Sequence, residues 1–396
     1  MVKKHSRKFL FMLLSTLVCM FLAVTAAWAD YSQLQPKLKQ SGTKTLAPGV
    51  VYTTYIGSTA AGSPLRVYVL KADLTKDNIE VQPVLAAGGK GSVEKVSSMA
   101  KRTGAVGAIN GGFFSMSSPH NPVGNLIING KTVASSDILR ASLGIFNDKT
   151  VKVGCYQAGS TDAYWQGLKH LITAGPLLVE EGQPVLEAVA EGFTGGVLER
   201  APRTALGVTR DQQMLLLVVD GRQSGRSAGL NLEELACLMA DLGAQEAIGL
   251  DGGGSSEMVV NNQVVNKPSD GRERSVNNGI VILASIPVYL DGARIDFDVP
   301  PQMKQGRVLV PFRGILEAIG AQVEYDAASK SITARKDGKV VQFTIGASTA
   351  LIDGQEVSLD VPAQEVGGRT LVPIRFISSA LGKEVNWTDK NAVEIK

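Results

Sequence analysis

Alternation of apolar and polar residues between positions 50 and 85 predicts that the chain enters its first domain as β-strands. In Leu65-Arg-Val-Tyr-Val-Leu70 and Ile79-Glu-Val-Gln-Pro-Val-Leu85, apolar and polar residues alternate at most positions. This alternation is typical of strands with one buried face. Residues 231–242 differ, because apolar residues recur there at the spacing of a helix. Strands predominate over the few helices, so we expect an α+β fold with a mixed sheet in the first domain.

The C-terminal part of the chain repeats itself with a period of 62 residues. Arg307-Val-Leu-Val-Pro-Phe-Arg313 recurs as Arg369-Thr-Leu-Val-Pro-Ile-Arg375, and further positions match at the same offset. Such self-similarity indicates a duplication, in which each unit is predicted to form a short hairpin, a helix such as Phe312 to Ile319, and a closing strand. We therefore expect a small duplicated α+β domain over residues 285–396, preceded by a larger domain over residues 45–284.

The N-terminus has the features of a secretory signal peptide over residues 1–29. Basic residues precede an apolar run from Phe9 to Val24, and Ala27-Trp-Ala29 matches a small-x-small cleavage site. We therefore expect a secreted, extracellular protein, with a retained membrane anchor as the alternative. Residues 30–44 contain several Lys, Gln and Ser residues, and they are predicted to form a flexible leader.

Charge and residue usage exclude several classes of protein. Four of the 40 Lys and Arg residues and none of the 37 acidic residues lie in the predicted signal, so the remaining chain is nearly neutral and nucleic-acid binding is not expected. His120 and His170 are the only histidines after residue 29, so neither a His-based zinc site nor a Ser-His-Asp triad has its parts. No metal or cofactor is predicted, although calcium held by oxygen atoms stays open.

Two cysteines remain after the predicted signal, Cys155 and Cys237. Cys237 lies on the predicted helix and is expected to be a buried thiol, while a disulfide between the two cysteines stays open. So few cysteines in a secreted chain of this length indicate a fold that relies on its apolar core.

Residues 247–261 carry the most informative pattern of the chain. An apolar run ends in Asp251, three glycines and two serines follow, and a second apolar run begins at Met258. This order predicts a strand, a tight turn and another strand, which places Asp251 and Ser255 on a rigid scaffold. A plain glycine turn is the alternative. A phosphate-binding P-loop is excluded, because no Gly-Lys-Ser/Thr follows.

Three further motifs precede this glycine turn: Asn110-Gly-Gly-Phe-Phe114, Ala201-Pro-Arg-Thr-Ala-Leu-Gly-Val208 and Leu215-Leu-Leu-Val-Val-Asp-Gly-Arg222. Together with the turn, and with Asn231-Leu-Glu-Glu-Leu235 and Arg274-Ser-Val276, the ordered motifs resemble the phosphodiester glycosidase family. The resemblance covers residues 45–283. It implies a hydrolase that cleaves a sugar-1-phosphodiester at the anomeric C–O bond and that needs no nucleotide or redox cofactor.

The resemblance also implies roles for individual residues. Asp251 is expected to be the base or nucleophile, Asp220 its partner, and Glu257 a third catalytic carboxylate, although the family has a threonine near that position. Phosphate is expected to bind Arg203 first and Arg222 second, because a planar guanidinium matches two phosphate oxygens. The turn amides would complete an anion cradle. The candidate substrate-binding residues besides the arginines are Asn110, Gly111, Thr204, Gly252, Gly253, Gly254 and Ser255.

Structural alternatives stay open for these residues. Asp220-Gly221 is also an ordinary turn signal, Arg203 is also a candidate for a surface ion pair, and Asn110 would either donate to sugar hydroxyls or order the facing loop. For the whole protein, the expected function is hydrolysis of a sugar-1-phosphodiester in cell-wall or other extracellular glycan. The alternatives are a non-catalytic protein that binds anionic glycan or the cell wall, and a phosphodiesterase that cleaves P–O in place of C–O.

The duplicated region resembles the copper amine oxidase N-terminal-like domain, also called a stalk domain. Copper needs imidazole or thiolate ligands, and residues 285–396 contain no His and no Cys, so no copper is expected. Arg313 and Arg375 are interpreted as braces of a turn, with a functional role as the alternative. The region is predicted to be a spacer or to contact the cell wall. The sequence leaves the sugar, its anomer, the stereochemical course and the oligomeric state open.

Overall fold

The computed structural model describes residues 31–396, except Glu187, Asp296, Asp298, Gln305, Gly367 and residues 389–391. The predicted signal peptide, residues 1–29, therefore lies outside the described residues. The fold is mostly β with few helices, as the predominance of strand patterns in the sequence indicated. None of the helices in the described residues is long and apolar enough to cross a membrane.

The N-terminal region, residues 31–284, contains eighteen strands and two α-helices. The helices are α1 (Val96–Thr103) and α2 (Leu232–Asp241). The strands are β1 (Lys37–Ala47), β2 (Val50–Ser58), β3 (Pro64–Asp73), β4 (Ile79–Leu85), β5 (Gly107–Asn110), β6 (Leu126–Ile128), β7 (Lys131–Ala134), β8 (Ala141–Phe146), β9 (Val151–Cys155), β10 (Leu168–Thr173), β11 (Leu177–Glu180), β12 (Gln183–Pro184), β13 (Arg203–Thr209), β14 (Gln213–Val219), β15 (Ala244–Gly249), β16 (Met258–Val260), β17 (Gln263–Val264) and β18 (Asn278–Ala284). Short 3-10 helices occur at Tyr31–Gln33, Ala163–Trp165, Ala188–Glu191, Gly195–Val197 and Gly253–Ser255.

These strands form three sheets. An eight-stranded sheet has the order β1-β2-β3-β14-β13-β15-β11-β12, and two five-stranded sheets have the orders β17-β16-β5-β18-β4 and β7-β6-β10-β8-β9. The predicted mixed sheet is wrong here, because every strand pair described in this region is antiparallel. Parallel neighbours need long crossover connections, usually helical, and this region has only two α-helices among its described residues.

The central strands of the eight-stranded sheet are buried on both faces. Along β14, Leu216 and Val218 join one core cluster, whereas Leu215, Leu217 and Val219 join another that includes α2. This explains the unbroken apolar run of β14, since a strand covered on both faces has no polar side. The helix predicted at residues 231–242 is α2, and Asn231 caps it by accepting from the Glu234 amide at 2.8 Å. Burial on both faces fixes the ends of these strands in a rigid frame.

The predicted flexible leader, residues 30–44, is wrong from Lys37 onward. Residues 37–47 form β1, which pairs with β2 from Lys37 opposite Ser58 to Ala47 opposite Val50. Most side chains of β1 are exposed, so its polar composition suggested a disordered segment. Backbone hydrogen bonds to a neighbouring strand order an edge strand without a buried face.

The two cysteines after residue 29 are both free thiols. Cys237 is buried on α2, as predicted, whereas Cys155 is exposed at the end of β9. Burial raises the pKa of the Cys237 thiol to about 11, because an apolar environment disfavours the thiolate. Cys237 is therefore a core side chain and not a nucleophile.

The C-terminal region, residues 285–396, contains thirteen strands and two helices among its described residues. The helices are α3 (Phe312–Ala318) and α4 (Ile374–Leu381). The strands are β19 (Val288–Leu290), β20 (Ala293–Ile295), β21 (Gln302–Lys304), β22 (Arg307–Pro311), β23 (Gln322–Asp326), β24 (Ser331–Lys336), β25 (Lys339–Thr344), β26 (Thr349–Ile352), β27 (Gln355–Ser358), β28 (Gln364–Val366), β29 (Arg369–Pro373), β30 (Val385–Trp387) and β31 (Val393–Ile395). Their sheets have the orders β20-β19-β31-β30, β21-β22-β29-β28 and β23-β24-β25-β26-β27.

The duplication in the sequence corresponds to a local two-fold arrangement in this region. Strands β22 and β29 occupy equivalent positions of the two units, and they pair antiparallel with Val310 opposite Val372. These two valines are themselves 62 residues apart, and the flanking pairs are reciprocal, with Leu309 opposite Pro373 and Pro311 opposite Leu371, as expected about a local two-fold axis. One apolar cluster contains side chains from both units, including Phe312 and Ile374. The units therefore fold on each other, although the predicted domain boundaries themselves stay predictions.

Candidate functional site

The glycine turn connects two sheets. Strand β15, in the eight-stranded sheet, leads into Asp251, and β16, in a five-stranded sheet, begins at Met258, which confirms the predicted strand, turn and strand. The turn contains a 3-10 helix at Gly253–Ser255. Gly253 has a φ of +62°, a backbone conformation that glycine adopts without a Cβ penalty. The turn thus places Asp251 where the two sheets meet.

Asp251 is partly exposed and is held by its neighbours. Its carboxyl group accepts hydrogen bonds from the Ser255 hydroxyl and the Gly252 amide, and the charge of Arg274 lies near. Burial nevertheless raises the pKa of Asp251 to about 6, because removal of water disfavours the ionised form more than these groups favour it. A carboxyl group with this pKa exchanges protons close to neutral pH, which is what a catalytic base requires.

Asn110 fixes the backbone around Asp251. This fully buried side chain lies at the end of β5, and its Nδ2 donates to the Asp251 carbonyl at 2.6 Å. Its Oδ1 accepts from the Thr204 hydroxyl at 2.8 Å and from the Glu257 amide at 3.1 Å. The Asp251 amide donates to the Gly111 carbonyl at 3.1 Å. Asn110, Gly111 and Thr204 therefore brace the turn, which is the structural alternative for Asn110, and their predicted contact with substrate is wrong.

Three amides of the turn already donate within the chain. The Gly253 amide donates to the Pro202 carbonyl at 2.9 Å, and the Ser255 amide donates to the Gly252 carbonyl at 3.2 Å. The Gly252 amide donates to the Asp251 carboxyl group. Because these donors are already used within the chain, the amides of Gly252, Gly253 and Ser255 are poorly placed to form the predicted cradle, whereas the role of Gly254 stays a prediction.

Arg222 replaces Arg203 as the best candidate for anion binding. The Arg203 side chain is only 5% exposed, and it donates to the carbonyls of Leu230, Val197 and Glu199. Arg222 is exposed, and its Nη1 lies 3.4 Å from the position of a Cβ built on Gly253. The predicted order of the two arginines is therefore reversed, since a guanidinium committed to buried carbonyls offers few donors to a ligand.

The two arginines also influence each other. Burial, followed by the positive charge of Arg222, lowers the pKa of Arg203 to about 10. Both guanidinium groups thus carry positive charge at neutral pH, and their repulsion is relieved when an anion lies beside them. The structure supports an anion site above Gly253, with Arg222 as the contacting group.

Arg274, which entered the sequence comparison only as part of a motif, contacts the glycine turn directly. Its Nη1 donates to Ser255 Oγ at 3.4 Å, and its Nη2 forms an ion pair with Asp270 at 2.6 Å. A Cβ built on Gly254 would lie 2.0 Å from Arg274 Nη2, so a side chain at this position would displace the Arg274 guanidinium. The third glycine of the turn therefore permits the approach of Arg274 to Ser255, which in turn orients Asp251.

Asp220 is an anchoring carboxylate. It is 1% exposed, and its Oδ2 accepts from the Tyr68 hydroxyl at 3.0 Å and from Arg226 at 3.3 Å. Its Oδ1 accepts from Asn266 Nδ2 at 3.2 Å and from the Lys267 amide at 2.9 Å. With both oxygens occupied by these donors, the carboxylate is poorly placed to accept a proton from substrate or water. The geometry contradicts its predicted role as the partner of Asp251.

The Glu257 side chain is buried next to the glycine turn. The side chain is 1% exposed, and neither of its carboxyl oxygens has a hydrogen-bond partner within the described part of the chain. Burial, reinforced by the nearby Glu273 carboxylate, raises the pKa of Glu257 to about 8. Glu273 itself accepts from the Ser97 hydroxyl at 2.5 Å. Glu257 therefore holds a proton at neutral pH, but its burial contradicts the prediction that it acts on substrate directly.

Among the described residues, no group of three or more His, Cys, Asp or Glu side chains is arranged to hold a metal ion. His120, in the loop after β5, uses Nδ1 in a 3.0 Å hydrogen bond with the Ser115 carbonyl, so it orders this loop. Around the glycine turn, the structure brings together Asp251, Ser255, Arg222 and Arg274.

Two regions of the chain match known family models. Residues 103–283 match the phosphodiester glycosidase family model, and residues 289–395 match the copper amine oxidase N-terminal domain model. Both resemblances predicted from the sequence are thereby confirmed. The first match includes the glycine turn, Asn110 and both Arg203 and Arg222.

Two mammalian relatives carry the same name, N-acetylglucosamine-1-phosphodiester alpha-N-acetylglucosaminidase. The Mus musculus protein is 33% identical over 210 residues, which cover 49% of this chain and 40% of the mouse protein. The Bos taurus protein is 34% identical over 203 residues, which cover 47% of this chain and 38% of the bovine protein. The chain thus spans less than half the length of either relative.

A solved structure shows the same fold. The zebrafish enzyme of that name, described as a catalytic domain auto-inhibited by its pro-peptide, superposes with a TM-score of 0.50 at 22% identity. The superposition covers 65% of this chain and 94% of the zebrafish chain. At this identity the likeness concerns the fold alone.

The pKa of Glu257 leads to a prediction about stability. The ordinary pKa is 4.5 and the folded-state pKa is about 8, so the folded protein keeps this proton where the unfolded chain has lost it. The contribution of Glu257 to the free energy of unfolding is therefore fully present below about pH 4.5, and it is lost as the pH rises toward 8. Glu257→Gln should therefore gain stability over the wild type as the pH rises, by at most about 1.4 kcal/mol per pH unit.

This prediction is measured by urea denaturation at several pH values between 5 and 8. Glu199→Gln serves as the control, because Glu199 is exposed and its side chain is not sealed in the interior. A difference between Glu257→Gln and wild type that stays constant with pH would contradict the assignment of a buried, protonated Glu257.

Proposed function

We propose that this chain is a secreted hydrolase that cleaves a sugar-1-phosphodiester at the anomeric C–O bond. The observation that carries the proposal is the pairing of a partly exposed Asp251, with a pKa raised to about 6, and an exposed Arg222 beside Gly253. A carboxylate that exchanges protons near neutral pH and a cation that binds phosphate are the two groups this reaction requires. The match to the phosphodiester glycosidase family model supports the same reaction.

In the proposed mechanism, ionised Asp251 acts on the anomeric carbon. It either takes a proton from the water that attacks C1 or attacks C1 itself, and the second path is completed by water. In both cases the C1–O bond breaks and its electron pair leaves with the phosphate monoester. That leaving group is already a stabilised anion, so the demand for a general acid is low. Arg222 would hold the phosphate, and Ser255 with Arg274 would keep Asp251 oriented.

The substrate class follows from the mammalian relatives and from the expected location. Their name refers to N-acetylglucosamine-1-phosphodiesters, so esters of N-acetylglucosamine-1-phosphate are the first substrates to test. The signal peptide predicted for residues 1–29 supports a location outside the cell as part of this proposal. We therefore propose that the natural substrate is a phosphodiester-linked glycan of the cell wall or another extracellular polymer.

Asp251→Asn should lower kcat/KM by about 10²–10⁴-fold, because it removes the group that moves the proton or attacks C1. The assay follows free sugar released from a panel of sugar-1-phosphodiesters by mass spectrometry. Asp241→Asn is the matched control, because Asp241 is exposed at the end of α2. In ¹⁸O-labelled water, C–O cleavage places the label on the sugar. Label on the phosphate, or a fully active Asp251→Asn, would refute the mechanism.

The pH dependence of the reaction should report the ionisation of Asp251. The carboxylate is the active form, so kcat/KM should be constant well above pH 6 and should fall about tenfold per pH unit below it, in line with a pKa of about 6. The profile is recorded between pH 4.5 and 8, with stability checked at each pH. A profile without this acidic limb would exclude Asp251 as the base or nucleophile.

Arg222→Ala should weaken phosphodiester binding, because Arg222 is the exposed guanidinium beside the turn. We expect KM to rise by about tenfold or more, equivalent to a lost charge-assisted hydrogen bond of at least 1.4 kcal/mol. Arg222→Lys should recover part of the loss, since it restores the charge but not the planar fork. Arg210→Ala, an exposed arginine of the β13–β14 turn, is the control. Equal KM values in Arg222→Ala and wild type would argue against this phosphate site.

A further inference from the structure

The C-terminal region contains two cavities that the reaction at the glycine turn does not use. The first, of about 650 Å³, is lined by Arg313 and Tyr325 of the first repeat unit and by Arg369 of the second. The second, of about 250 Å³, is lined by Arg375 and Trp387 of the second unit and by Arg307 of the first. Each cavity therefore combines two arginines with an exposed aromatic side chain, Tyr325 in the first and Trp387 in the second.

The two cavities are copies of each other. Arg313 corresponds to Arg375, Tyr325 to Trp387 and Arg369 to Arg307, each at the repeat distance of 62 residues. Each cavity is lined by the start of a helix and by a strand from one unit, and by a β-hairpin from the other unit. This exchange follows from the pairing of β22 with β29 about Val310 and Val372. The cavities are thus products of the two-fold packing, and neither unit would form one alone.

The chemistry of the cavities favours a sugar that carries negative charge. Tyr325 and Trp387 are both 47% exposed, so each presents a large apolar ring to solvent. Such rings pack against the apolar face of a sugar, while their polar atoms stay hydrated. A guanidinium beside the ring offers paired donors to a phosphate or carboxylate group. An aromatic platform with flanking arginines is therefore suited to an anionic sugar.

The arginines of both cavities already have partners within the chain. In the first cavity, Arg313 Nε lies 3.9 Å from Glu317 Oε1, and the two side chains are 56% and 63% exposed. In the second, Arg307 is paired with Asp360 at 2.5 Å, and the two side chains are 40% and 47% exposed. Exposed pairs of this kind are weak, so an anionic ligand can compete for Arg313 and Arg307. Arg369 and Arg375 also interact within the chain.

We propose that the two cavities bind two segments of one linear anionic glycan, with sugar rings on Tyr325 and Trp387 and with phosphate or carboxylate groups at the arginines. Two equivalent sites on one chain raise the affinity for a repeating polymer well beyond that of each site, because the second contact is intramolecular. The site at the glycine turn is separate. The binding proposed here does not require turnover there, and each proposal can fail without the other.

The test uses the full chain from residue 30 onward with Asp251→Asn, so that no polymer is cleaved during the measurement. Binding is measured by calorimetry with poly(N-acetylglucosamine-1-phosphate) as the phosphate polymer, polygalacturonate as the carboxylate polymer and dextran as the neutral control. Binding of either anionic polymer, and not of dextran, is expected. Comparing the affinities for the phosphate polymer and the carboxylate polymer identifies the preferred anion. Failure of both anionic polymers to bind, or equal binding of dextran, overturns the proposal.

Point variants separate a built site from general charge attraction. Trp387→Ala and Arg375→Ala should each weaken polymer binding by about tenfold or more, because a bivalent contact becomes monovalent. Arg335→Ala removes the same charge from an exposed position on β24 that lines neither cavity, and it should have no effect. Tyr325→Ala with Trp387→Ala should abolish binding. Equal losses in Arg335→Ala and Arg375→Ala, or full binding by Trp387→Ala, would overturn the proposal.

Stoichiometry provides an independent measurement. A short oligogalacturonate, or a short oligomer of N-acetylglucosamine-1-phosphate, should bind with two molecules per chain in the parent protein and one in Trp387→Ala. Because Trp387 is half exposed, this variant should unfold at the same temperature as the parent. One molecule per chain in the parent would contradict the proposal of two equivalent sites.

Discussion

The side chain of Asn110 is the interaction on which the candidate active site depends. From the end of β5 it contacts the Asp251 carbonyl, the Glu257 amide and the Thr204 hydroxyl, and so joins the two sheets at the glycine turn. The contacts with Glu257 and Thr204 are buried, and the contact with Asp251 is partly buried. In such surroundings a hydrogen bond is electrostatically strong and an unmade one is costly. The position of the Asp251 carboxyl group thus follows from a buried network, and not from the flexibility that three consecutive glycines suggest.

The same site separates its carboxyl groups by environment. Asp251 is partly exposed and has a pKa of about 6, whereas Glu257 is sealed and has a pKa of about 8. Asp220 is satisfied by four donors. Three acids that lie within one stretch of motifs therefore divide into a reactive group, a buried proton carrier and an anchor. Burial and hydrogen bonding, and not residue type, decide which of them can serve the reaction.

The C-terminal region shows how duplication creates chemistry that a single unit lacks. Packing β22 against β29 brings an arginine of one unit beside the arginine and aromatic residue of the other, and it does so twice. As turn braces, Arg313 and Arg375 would each act only within their own unit. In the folded region both arginines line cavities, so the functional alternative has a structural basis. Whether such a region acts as a spacer or as a second binding module depends on these interfaces between units.

Sequence alone determined the elements with strong local signals: the strands between Val50 and Leu85, helix α2, the strand and turn at Asp251, and the 62-residue repeat. These follow from periodicity and from residues with restricted local conformations. Tertiary structure alone decided which side chains meet. Arg203 is buried against carbonyls, Arg222 reaches the turn, and Arg274 enters through the space above Gly254, because hydrogen-bond partners and exposure arise from segments far apart in the chain. Likewise, residues 37–47 are ordered only by a partner strand, which no local pattern could reveal.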